Sequence, residues 1–181
     1  MTRDEALALV CEKVQNANMV KHLLASEVVM RALAERLAPN AQDEWGLAGL
    51  LHDADVEIAP PERQGAMVSD WLGDSISETV KQAMAAHNPS TGVTPGEPID
   101  WALFAGEKLT GLIVASALIH KERKLEAIDT QFVLNRYKEK GFARGAKREQ
   151  IACCDRLGMG LEEFVDLALR AMQGISAELG L

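Results

Sequence analysis

The chain has 181 residues, of which 48% are apolar but only 4% aromatic, and its formal net charge is −8. That length suits one domain over residues 1–181, able to bury a core without disulfide or metal staples. An acidic surface repels polyanions and excludes tight binding along duplex nucleic acid; small anionic substrates remain open, because a bound divalent ion would dominate the field inside a pocket.

Abundant Ala and Leu with few β-branched runs predict helices packed on helices, an all-α class forming a single compact helical bundle. In chain order, helices are expected at about residues 3–15, 18–37, 42–52, 62–73, 76–87, 99–120, 129–140, 146–157 and 161–179. Thr2 with Glu5 and Ser75 with Glu78 have capping-box spacing, so each pair should open a helix. Breaks fall at Pro39-Asn40, Pro60-Pro61, Gly73-Asp74 and the loop 88–98, which follows His87 directly. Cys11, Cys153 and Cys154 have no CxxC spacing, which argues against a disulfide framework or thiolate zinc site and fits a reducing cytoplasm. The first residues lack the apolar core of a secretory signal, and the apolar stretch 109–119 is shorter than the ~20 residues a bilayer requires. A soluble cytoplasmic protein without membrane association is therefore expected.

Four histidines occur, and two of them, His22 and His87, fall where a helix would turn them inward. His22 shares a face with Ala25, Val29 and Leu33, and His87 follows the stripe of Ile76, Val80, Ala83 and Met84. His52-Asp53 ends the helix of Trp45 to Leu51. Glu107 lies on an apolar face with Leu103, Phe104, Gly111, Val114 and Leu118. An ionised carboxylate there is costly unless paired, hydrogen-bonded or bound to a metal. Imidazoles and carboxylates brought inward from separate helices suit a divalent ion, and bundle cores commonly host such sites. Plainer readings stand beside this one: a core histidine bonded to a carbonyl for His22, a helix-terminal histidine and turn Asp for His52-Asp53, and a helix-terminal residue for His87. Glu107 could instead pair with an arginine from another helix while Lys108 points elsewhere. His120, beside 121–124, is expected to be exposed, and Trp45, Trp71 and Trp101 to pack in the core.

The pattern H…HD…(D/E) across three helices resembles the HD-domain superfamily of metal-dependent phosphohydrolases. The segments at 50–57, 86–88, 103–113 and 142–145, and the tail from Ala171 to Leu181, are similar to a bacterial subgroup of predicted HD hydrolases, so the likeness runs through nearly the whole chain. The resemblance implies a divalent ion (Mn, Mg, Fe, Co, Ni or Zn) held by His22, His52, Asp53 and Glu107. A water acidified by the ion would attack phosphorus, with Asp53 expected as ligand and water-orienting group and His87 near the phosphate or shuttling a proton. Asp55, Asn88 and Lys108 are then expected to meet the substrate, a nucleotide or another small phosphoester, with Thr91 a further contact. The family normally has Asp where this chain has Glu107, one methylene longer. That departure leaves a second reading, a non-catalytic HD domain that binds a nucleotide or protein partner with a weakened metal site. The basic stretch Arg136, Lys138, Lys140, Arg144, Lys147 and Arg148 reads as a solvated helix face or as a lure for a nucleotide. The last helix serves a core or a homodimer interface equally well.

Overall fold

Thr2 caps α1 (Arg3–Lys13): its Oγ1 accepts from the Glu5 amide at 3.3 Å while the Glu5 carboxylate accepts from the Thr2 amide at 2.8 Å, as their spacing requires. Asn16 opens α2 (Ala17–Leu37) by accepting from the amides of Asn18 and Met19. In the computed structural model, which describes residues 1–181, these are followed by α3 (Gln42–Leu51), α4 (Ala66–Leu72), α5 (Glu78–Ala86), α6 (Pro98–Ile119), α7 (Thr130–Lys138), α8 (Arg148–Ile151), α9 (Leu161–Gln173) and α10 (Ser176–Leu179), with 3-10 turns between several of them and no strand. The fold is all-α.

Four helices depart locally from the expected bounds. The helix expected from Ser75 begins after Ser77, whose hydroxyl accepts from Val80 N, because Ile76 is extended and buries its side chain. The helix expected at 62–73 is cut short by Gly65, which takes φ +83. At 146–157 the chain tightens into a 3-10 turn after Ile151. The last helix stops at Gly174 and resumes at Ser176.

α6 is the axis of the bundle, packed by α2, α5, α7, α8 and α9. By length and composition it could cross a membrane, but 61% of its most apolar window is buried inside the bundle, as befits a core helix. Its apolar stretch is longer than residues 109–119 suggested. α2 and α3 cross closely: a Cβ at Gly49 would stand 2.6 Å from the Ser26 carbonyl oxygen, so only glycine permits the approach. Beside that crossing Glu27 is buried and held by Arg3 at 2.7 and 3.0 Å and by Arg31 at 2.9 Å. Trp45 is buried, whereas Trp71 and Trp101 are partly exposed at the core's edge. His120 is half-buried, its ring edge-on to Phe132, rather than free in solvent.

The basic stretch is not simply a solvated face. Arg148 turns inward and its guanidinium donates to the carbonyls of Arg136, Tyr137, Glu139, Phe142, Ala143 and Ala146, so one planar fork gathers the loop between α7 and α8. A lysine has fewer donors and no fork. Arg148→Lys is expected to lower stability by about 2 kcal/mol or more in urea denaturation, the scale of hydrogen bonds to a charged group; an unchanged midpoint would show that the carbonyls are satisfied without it.

Candidate metal centre

α3 and α5 both end on a histidine, and the last carbonyls of a helix lack amide partners. His52 Nδ1 lies 2.8 Å from Gly49 O and His87 Nδ1 2.5 Å from Met84 O. A carbonyl only accepts, so each ring carries a proton on Nδ1 and turns Nε2 inward. His22 reaches the same state by another route: its Nδ1 lies 3.2 Å from Thr110 Oγ1, whose own proton goes to Glu107 O at 2.8 Å, leaving the hydroxyl oxygen to accept. Metal-binding histidines are typically oriented this way, through the nitrogen that does not face the metal. The rings stand in a row, edge to face, with centroids 5.2 Å apart from His22 to His52 and 4.9 Å from His52 to His87.

An acid stands at each end of the row. Asp53, in the turn after α3, places Oδ1 3.2 Å from His87 Nε2 and Oδ2 3.6 Å from His52 Nε2, and it accepts from Gln64 Nε2 at 2.8 Å. Glu107, buried on α6, places Oε2 4.0 Å from His22 Nε2. Its Oε1 is 2.5 Å from Lys108 Nζ, which approaches outside hydrogen-bond geometry. The ion-pair partner is thus the adjacent lysine folded back, not an arginine from another helix.

Burial pushes His52 down to about 3 and His22 to about 4, so both rings are neutral with lone pairs free at Nε2. Burial also opposes charge on His87, but the hydrogen bond and charge of Asp53 outweigh it and raise its pKa. Asp53 is held well below the usual carboxylate range: burial alone would raise it, and the imidazoles of His52 and His87 overcome that. Burial raises Glu107 against the pull of Lys108 and His87.

The ligating atoms form two groups, His22 with His52 and Glu107, and His52 with Asp53 and His87, each group's atoms within 4.8 Å of one another. His52 belongs to both. Its Nε2 is buried with no hydrogen-bond partner, a loss on the order of 1–3 kcal/mol for a buried polar group, whereas Glu107 Oε1, which also accepts no hydrogen bond, already has Lys108 Nζ against it. An ion would satisfy His52 Nε2, so the donor set fits a divalent metal.

The fold therefore gathers His22, His52, Asp53, Glu107 and His87 as two overlapping groups, and the expected set of four is divided between them: Asp53 stands with His52 and His87, and Glu107 with His22 and His52. Lys108 stays at the site on Glu107, 29% exposed. Two expected substrate contacts are corrected. Asp55 is fully buried and spends both oxygens on backbone amides, Gly65 at 2.9 Å and Met67 at 3.1 Å, anchoring the loop that leads into α4. Asn88 donates to Pro61 O at 2.7 Å and accepts from Ser90 N at 3.0 Å, stapling two loops. Thr91 likewise donates to Ala85 O. Sequence reasoning missed Gln64 and Thr110. Thr110 could have been found, since it follows Glu107 by three residues and shares its helical face; nothing in the sequence marks Gln64.

The stripe on which Glu107 lies also leaves the core. Leu103 is buried, but Gly111 is exposed, Val114 half-buried and Leu118 49% exposed, and these last three wall a cleft of about 400 Å³ beside His22.

In the presence of chelator, stability is expected to fall as pH drops from about 6.5 toward 4. His52 is neutral when folded, with a pKa of about 3, yet takes a proton below 6.5 when unfolded, so acid favours unfolding. His22, at about 4, adds the same sign, reduced because 22% of its side chain is exposed. The raised pKa of His87 gives stability already complete below 6.5 and leaves this window unchanged, while Glu107, also raised, makes the slope shallower. A melting temperature that does not fall between pH 7 and pH 5 in EDTA would contradict this.

No family model matches the chain, and no curated protein or solved structure matches it, so the reading of the site rests on its own atoms.

Proposed function

We propose that the chain is a metal-dependent phosphohydrolase of the HD-domain kind, acting on a small phosphoester. The observation that carries this reading is the fully buried His52 Nε2, unpaired and with its proton fixed on the other nitrogen, at the junction of two carboxylate-bearing groups. His22, His52, Asp53 and Glu107 would hold the ion. A divalent ion, when bound, supplies a strongly acidified water and positive charge opposite the phosphoryl oxygens.

The chain's own groups do the rest. Asp53 Oδ1, fixed by Gln64 and His87, orients the attacking water while Oδ2 faces His52. His87, whose Nε2 lies 3.2 Å from the Asp53 carboxylate that favours a proton there, is the group placed to protonate the leaving oxygen. Lys108 brings a cation to the rim, where it attracts the phosphate dianion. Water adds its oxygen to phosphorus, the bond to the alcohol oxygen breaks, and that oxygen leaves with a proton.

One observation favours a second reading. Lys108 Nζ already lies against Glu107 Oε1, so a lysine can supply the compensation that a metal otherwise would, leaving a binding domain without turnover. Elemental analysis of protein purified without chelator, followed by phosphate release from nucleotides and alkyl phosphates with Mn²⁺, Co²⁺, Ni²⁺ or Mg²⁺, separates the two. Bound metal with turnover is expected; absence of both would overturn the enzyme reading.

A further inference from the structure

α6 carries Glu107 and Thr110 to the site, and the same helix continues outward as a strip with no partner helix upon it. A side chain built at Gly111 would meet open space, and Val114 and Leu118 extend the strip. From α2, Asn18, Lys21, His22 and Ala25 face it, and residues 179–181 close the end, enclosing about 400 Å³. His22 belongs to both sites: its ring lines this cleft and its Nε2 faces Glu107 at 4.0 Å. A phosphoryl group held at the cluster beside His22 thus has an adjoining hollow for the remainder of its molecule.

The lining indicates what that remainder is. The α6 wall presents Gly111, Val114 and Leu118, with no hydrogen-bonding side chain among them; the polar groups stand on the α2 side, where Asn18 and Lys21 line the cleft and the Nδ1 proton of His22 is already given to Thr110. Hydroxyl groups entering here would lose water and gain no replacement on that wall, whereas methylene groups would leave water at a gain. Lys21, its ammonium close to Gly180 and without a carboxylate partner, adds a cation at the mouth for a phosphate dianion.

We propose that this cleft receives the organic part of the substrate, and that the substrate class is phosphate monoesters of apolar alcohols. The inference rests on the phosphohydrolase reading of the cluster. In the reaction, water oxygen bonds to phosphorus, the ester P–O bond breaks with its electrons passing to the alcohol oxygen, and that oxygen takes a proton from His87, which the proton shed by the attacking water replaces; orthophosphate and an apolar alcohol leave.

Alkylphosphonates, which resemble the monoesters but cannot be hydrolysed, test this by titration calorimetry on metal-loaded protein. From methyl- to butylphosphonate, affinity is expected to rise by up to about fourfold per methylene, levelling once the cleft is full. Gly111→Leu fills the hollow without a backbone clash and is expected to flatten the series. If all phosphonates bind alike, or ribose 5-phosphate binds more tightly than butylphosphonate, the apolar assignment is overturned while the site reading stands. If no phosphonate binds at all, the phosphohydrolase reading falls and this inference with it.

Discussion

Asp53→Ala is expected to leave the purified protein without bound divalent metal, with an affinity loss of about a hundredfold or more, exceeding the effect typical of residues that merely orient a ligand. Asp53 is the only carboxylate between His52 and His87, at 3.6 and 3.2 Å. Its removal takes away the negative charge on that side and the partner that holds the His87 proton. The fold should survive, because Asp53 bonds to side chains and not to backbone amides. Asp55→Ala makes the contrasting control: it strips the amides of Gly65 and Met67 of their acceptor and should lower the melting temperature. Glu107→Asp installs the shorter acid that the proposed HD-type site would carry and should retain or raise metal content, provided the shorter side chain escapes Lys108. Elemental analysis beside circular-dichroism melting reads all three, and metal retained by Asp53→Ala would show that the ligand set is wrong.

Gly65→Ala should be the most damaging single-methyl change in the chain, costing about 4 kcal/mol or more in urea denaturation. Two costs add. The residue has φ +83, a conformation that L side chains rarely adopt, and its Cβ would fall 2.4 Å from Met84 O, 2.7 Å from His87 Cε1 and 3.0 Å from His52 O. Relief requires the loop to retreat from the ends of α3 and α5, which would also carry Gln64 away from Asp53 and loosen both histidines. Loss of stability together with loss of metal is therefore expected, and a fully stable Gly65→Ala protein would contradict the packing described.

What the sequence made legible is what helical periodicity encodes. The inward faces of Ala25, Val29 and Leu33 and of Val80, Ala83 and Met84 are buried as expected, and they carry His22 and His87 to the cluster. Glu107 stood out because an acid on an apolar stripe needs compensation. Periodicity says nothing of how loops close, and there the reading failed. Asp55 and Asn88 look like free polar groups in a sequence, but the fold brings the loop at 60–67 against the ends of α3 and α5 and consumes both on backbone atoms. Ser75 has the capping-box spacing with Glu78, but burial of Ile76 moves the cap to Ser77. The strip of Gly111, Val114 and Leu118 has core composition, and only the absence of a helix over it makes it a cleft wall.

Two of the three imidazoles are aimed by atoms that substitution cannot delete. His52 leans on the main-chain oxygen of Gly49 and His87 on that of Met84, while the one side chain involved, Thr110, is itself tied to the main-chain oxygen of Glu107. Mutational drift around the cluster can therefore replace most neighbouring side chains without rotating a ring or moving its proton, so long as the helix ends stay in place. A site aimed in this way tolerates divergence of its surroundings, and its signature is a three-residue backstep from histidine to carbonyl at two helix ends, a geometric feature with no residue spelling of its own.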